Sequence, residues 1–130
     1  MPMFINPSNV TTPPSSYSHG VLIGPYARRL IISGQVGARP DGTMAEGIKA
    51  QTEQAIDNLF NVIAAAQMKP TDIVKIVTFL TRREDLAVLR EVRSAKFGKH
   101  APASTLLIVS GLANPEYLIE IEAEAIQEAR

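Results

Sequence analysis

The chain has 130 residues, 45% of them hydrophobic, and 13 basic side chains balance 13 acidic ones. That is enough for one packed domain, expected over residues 1–130, and too little for two. Basic residues cluster no further than pairs such as Arg82-Arg83, so there is no electrostatic footprint for nucleic acid or an anionic membrane, and the absence of cysteine excludes disulfides, thiolate catalysis and Cys-based zinc sites.

No apolar run approaches the ~20 residues of a membrane span. The opening segment carries Pro, Ser and Asn where a leader would be basic and then apolar, so a cytoplasmic protein is expected. Met3 to Ile5 reads as a short edge strand, and the Pro/Ser/Thr-rich stretch from Asn6 to Ser16 as an extended lead-in. Val21-Leu22-Ile23 and Leu30-Ile31-Ile32 flank a Gly24-Pro25 turn and predict a hairpin. Ile48, Ile56, Leu59, Phe60 and Ile63 recur at helical spacing between Ala45 and Gln67, and Met68-Lys69-Pro70 stops the run.

Ile73 to Leu80 is β-branched and apolar on both faces, with Ile73, Val77 and Phe79 expected on one and Val74, Ile76 and Leu80 on the other. Arg83 to Phe97 predicts a second, more exposed helix on Leu86 and Leu89. Thr105 to Val109 and Leu118 to Ala125 read as a pair of strands around a Gly111 to Pro115 turn region. In the last strand apolar residues alternate with Glu120, Glu122 and Glu124, which places three carboxylates on one face. Such a row repels itself unless it stands in water or belongs to a site that uses negative charge.

This order argues for an α+β domain with two helices on one face of a sheet. The helices dress only one face, while the strands at 73–80 and 106–109 are apolar on both. The other face is therefore expected to bury against a second copy of the chain, with clefts between copies as the natural pockets. No phosphate loop, HExxH helix or nucleophile elbow occurs, and His19 and His100 lack companion ligands at metal spacing. Neither a metal nor a cofactor is expected. Ser33-Gly34 is a place where a hydroxyl and a bare backbone can approach a ligand, or simply a bend.

Several segments together resemble the RidA (YjgF) family of small enamine/imine deaminases over nearly the whole length. They are Tyr17-Ser18-His19-Gly20, Leu30 to Val36, Gln54 to Leu59, Asp72 to Lys75, Ala101-Pro102-Ala103 and Ile119 to Ala123. The resemblance implies a chorismate-mutase-like fold with a mixed sheet, and a homotrimer around a central β-barrel with small-molecule pockets between subunits. It also implies that Glu120 positions the water attacking an imine carbon, and that Tyr17, Ser33, Gly34, Ser104 and Thr105 line the pocket.

The departure from the family pattern is at Ser104, where deaminase members carry the arginine that binds the substrate carboxylate. Losing a bidentate, charge-assisted contact costs on the order of 1.5–3 kcal/mol, roughly 10- to 150-fold in binding. Arg90 on the second helix is a substitute cation if it faces the cleft; a solvated helix arginine is the alternative. His19 could donate near neutral pH, or be an inert loop residue. Three function classes follow: a hydrolase of reactive imines or enamines, a related enzyme for an uncharged small molecule, and a trimeric binding or interaction protein without the chemistry. Ribonuclease or translation-inhibitor roles attributed to the family fall in the third class, and the neutral charge gives them little support.

Overall fold

The computed structural model describes residues 2–13 and 17–128. In chain order the elements are β1 (Met3–Ile5), β2 (Gly20–Leu22), β3 (Tyr26–Gln35), α1 (Gly47–Ala65), β4 (Ile73–Leu80), α2 (Leu86–Phe97), β5 (Ala103–Ile108) and β6 (Ile119–Glu128). The last three residues of the expected lead-in lie outside the described residues. β3, β6, β4 and β5 form a mixed sheet in that order, and β4 and β5 are its parallel pair. With two helices packed on one face, the fold is the expected α+β class.

Helix α1 forms because Ala55, Ile56, Leu59 and Ile63 fall on one stripe at helical spacing, and all four are buried against the sheet. Burying each large side chain contributes roughly 1.5–3 kcal/mol. Past its end Gln67 takes φ 59° and Pro70 begins a 3₁₀ turn, so the helix cannot continue. Arg28 donates to the terminal carbonyls of Ala66 and Gln67, which satisfies two orphan acceptors. The second helix buries Leu89, Val92 and Phe97 and ends at Gly98, whose φ of 60° suits a residue without Cβ. Phe60 and Phe97 meet edge-on at 5.3 Å between the helices, and Lys96 pairs with Asp57 at 2.7 Å.

Three expectations are corrected. The predicted hairpin does not form: β2 pairs with β1 in a separate two-stranded sheet, while β3 pairs with β6 about a hundred residues away in sequence. The Gly24-Pro25 turn is real as a bend, but β3 finds in β6 a ten-residue partner with complementary faces, which three-residue β2 cannot offer. Likewise β5 and β6 are not neighbours, because β4 inserts between them. A register shift between Ile73 and Lys75 turns Ile73 into the core with Ile76 and Leu80, leaving Lys75, Val77 and Phe79 on the opposite face.

The helix-covered face of the sheet carries Ile32, Ile76, Leu80, Ile119, Ile121, Ala123 and Ala125, all buried. On the other face, Ile31 is 63% and Leu107 46% exposed, beside the partly buried Val77 and Phe79. Among the described residues, no helix is long and apolar enough to cross a membrane.

Gly37 sets the spacing between α1 and the chain leaving β3. A Cβ there would lie 2.7 Å from both Cα and Cβ of Gln51, and the backbone cannot give way cheaply. Gln51 itself is buried and clamps the entry to β6, donating to the Glu116 carbonyl and accepting from the Leu118 amide. Gly37→Ala is therefore expected to lower unfolding free energy by about 1–3 kcal/mol, the usual range for overpacking. Urea denaturation measures it, and an unchanged midpoint would show that the helix moves aside freely.

Candidate functional site

β6 alternates as its sequence requires: Ile119, Ile121, Ala123 and Ala125 face the helices, and Glu120, Glu122 and Glu124 face the open side. The three carboxylates then meet different neighbours. Glu124 forms an ion pair with Arg29 of β3, which holds that guanidinium above its ordinary pKa. Glu122 is exposed opposite Val77. Glu120 is partly buried opposite Phe79, and no cation among the described residues pairs with it.

The position of Glu120 depends on a β-bulge. Ile32 pairs with Ala123 and Gln35 with Ile121, so Ser33 and Gly34 together oppose the single residue Glu122. A Cβ on Gly34 would stand 1.8 Å from Glu120 Oε2 and 2.6 Å from its Cδ, which means that the carboxylate lies directly over the glycine backbone. Ser33-Gly34 is thus a bulge within β3, neither a strand end nor a simple bend. The carboxylate rests on backbone, against the Phe79 ring's strand, and keeps its acceptor lone pairs available.

Tyr17, Ser104 and Thr105 gather elsewhere. Ser18 bridges to Ala103, its amide donating to the Pro102 carbonyl at 3.1 Å and its hydroxyl to the Ala101 carbonyl at 2.6 Å. This brings Tyr17 to the start of β5, where its ring stands edge-on to His19 at 5.7 Å. His19 has partners of its own: its amide takes the Asn6 side chain and its ring meets the Thr11 carbonyl. Thr105 points to the open face and accepts from Lys75 Nζ at 2.8 Å. Ser104 points the other way, toward α2.

Within one chain these two groups do not meet. Ser104 pairs with Ile76, and Glu120 with Phe79, which itself pairs with Leu107. They are separated by three residues along the strands and two strands across, roughly 10 Å in each direction, and they face opposite sides of the sheet.

Arg90 is exposed on α2 and has no ion pair among the described residues. The guanidinium that reaches position 104 belongs to Arg93: its Nη1 donates to Ser104 Oγ at 2.9 Å. A sequence signal for Arg93 existed. At 100° per residue it falls about 40° from Leu89 and about 40° from Phe97, between two buried residues of the stripe, whereas Arg90 falls at the stripe's edge, about 20° beyond Phe97. A cation inside an apolar stripe is rarely only solvated.

The fold is α+β, with one sheet face under helices and the other open and carrying a glutamate seated on a glycine bulge. Residues 8–127 match the family model described as Endoribonuclease L-PSP. A RutC family protein of Pyrococcus horikoshii is 34% identical over 92% of this chain and 94% of that protein. The 2-iminobutanoate/2-iminopropanoate deaminase of Salmonella typhimurium is 34% identical, over 81% of this chain and 89% of the enzyme. The crystal structure of YyfB from Yersinia pestis, a Rid family protein of unknown function, superposes with a TM-score of 0.86 at 33% identity, covering 96% of this chain and 98% of that one. The chain belongs to the RidA/YjgF family.

Gly34→Ala separates the carboxylate's position from the fold. The atoms that a new Cβ meets are the far end of a flexible side chain, so stability should change by no more than about 0.5 kcal/mol while a crystal structure of the variant shows the Glu120 carboxylate displaced. A large stability loss would mean that the bulge backbone gives way instead.

Proposed function

We propose that the chain hydrolyses small reactive imines or enamines to carbonyl compounds and ammonia, with Glu120 positioning the water. The observation that carries this reading is the Glu120 carboxylate, partly buried over the Gly34 bulge and without a cation partner among the described residues. The family relationship and the deaminases among its relatives support the same chemistry.

In the proposed reaction, water held by Glu120 adds its oxygen to the C=N carbon as the C=N electron pair moves to nitrogen. Glu120 takes the water proton and passes it to the nitrogen. The carbinolamine then collapses: the oxygen lone pair forms C=O, the C–N bond breaks, and ammonia leaves with the proton. An enamine enters the same route after tautomerising to the imine. General-base assistance of this kind supplies about 10²- to 10⁴-fold.

The pocket is read as shared between copies. Tyr17, Ser104 and Thr105 of one chain and Ser33, Gly34 and Glu120 of a neighbour are the proposed lining, with Arg90 a rim position. The separation of these groups within one chain supports sharing, as does the apolar open face with Ile31 and Leu107 exposed. A homotrimer that closes the open faces into a barrel satisfies both. Light scattering should then give three times the 14.1 kDa chain mass, and a monomer at micromolar concentration would refute the shared pocket.

Ser104 favours a second reading, a trimeric ligand-binding protein of the same family without 2-imino acid deaminase activity. One experiment separates the two. With 2-imino acids generated in situ from several amino acids, the purified protein should accelerate their loss against a trapping agent, and Glu120→Gln should lower that acceleration 10²- to 10⁴-fold. No acceleration with any amino acid rejects the enzyme in favour of the binder.

A further inference from the structure

Arg93 stands apart from every other guanidinium described. Arg28 donates to the Gln127 side chain and to helix carbonyls, Arg29 pairs with Glu124, Arg39 with Thr43 and Met44, and Arg82 grips Asp85 with two hydrogen bonds. Arg83 and Arg90 are exposed to water. Arg93 is partly buried between α2 and β5, its plane near the Phe97 ring (5.8 Å to the centroid) and its Nη1 on Ser104. Its Nε and Nη2 are buried and have no acceptor among the described residues. Burial alone holds its pKa below the ordinary guanidinium value, since no carboxylate compensates.

The pattern of satisfied and unsatisfied atoms is specific. Nε and Nη2 form the side edge of the guanidinium, the fork that a carboxylate fills with two parallel N–H···O bonds. The hydroxyl of Ser104 occupies the remaining nitrogen, and the aromatic ring restrains the plane. A desolvated cationic fork without an acceptor is costly to maintain, and an anion that reaches it gains charge-assisted bonds to a group the fold has already dehydrated.

We propose that Arg93 is an anion-binding residue whose Nε–Nη2 edge takes the carboxylate of a small-molecule ligand, with Ser104 and Phe97 holding the guanidinium. This rests on the imine-hydrolase reading only for the rest of the ligand, a 2-imino acid or its 2-oxo acid product. The fork is closed in the chain alone, so a ligand reaches it when the side chains covering it part. Ser104 is then a support for a cation delivered from the helix, and the strand need not supply one.

Calorimetric titration tests the assignment with two probes, 2-oxobutanoate and its neutral amide. Wild type should bind the carboxylate more tightly than the amide. Arg93→Met should weaken carboxylate binding 10- to 150-fold and leave the amide unchanged. If that variant does not fold, Arg93→Lys keeps charge and stem while removing the fork, and should weaken the carboxylate at least several-fold. Equal binding of both probes by wild type, or unaltered carboxylate affinity in the folded Arg93 variant, overturns the proposal. Imine decay measured in parallel separates the two readings. Carboxylate-selective binding without hydrolysis rejects the deaminase and leaves Arg93 assigned. Hydrolysis with an unchanged KM for 2-imino acids in the Arg93 variant does the reverse.

Discussion

β6 is paired on both edges, antiparallel to β3 and to β4, and its alternation decides what each face of the sheet does. Because every second residue is a small or branched apolar group, one face accepts α1 and α2 closely enough to bury Ile119, Ile121, Ala123 and Ala125. Because the intervening residues are glutamates, the same strand cannot be covered by a third apolar layer from its own chain without pairing or protonating them. Core and candidate site are therefore two sides of one ten-residue segment. A one-residue slip in its pairing would exchange them.

Two nearby glycines show how differently the same residue type is used. Gly37 is small because a helix backbone passes it, and its role is packing. Gly34 is small because a carboxylate lies on it, and its role is to seat Glu120. The bulge that joins these functions adds one residue to β3 and turns the alternation there, so that Ser33 and Gly34 both come opposite β6 at the level of Glu122. The seat is part of the sheet, so the bulge backbone under the Glu120 carboxylate is as fixed as the strand pairing around it.

In the proposed assignment, a serine rather than a strand cation at position 104 does not leave the site without charge. Side chains of about arginine's length can reach one locus from two elements, and here α2 runs beside β5 closely enough for Arg93 to touch Ser104. Whether a guanidinium arrives from the strand or from the helix changes which of its edges is free. In Arg93 the free edge is the bidentate one.

Much of this was legible in the residues. The period of 2 in Leu118 to Ala125 and the helical spacing of Ile56, Leu59 and Ile63 specify strand and helix with their buried faces, because side-chain direction follows from backbone geometry alone. The three glutamates had to share a face, and an uncovered apolar face was implied by two helices serving one sheet. Pairing was a different matter. That β3 passes over β2 to join β6, that β4 separates β5 from β6, and that Ile73 turns inward depend on competition among distant partners, which local pattern does not rank. The resemblance singled out Glu120 from Glu122 and Glu124, but its seat on Gly34, the pairing of Glu124 with Arg29 and the approach of Arg93 to Ser104 needed the bulge and the helix packing to be in place. Residue type determined which groups could do chemistry; only the tertiary structure decided which of them stand unpaired, because a charge's partner is set by what the fold brings within hydrogen-bond reach.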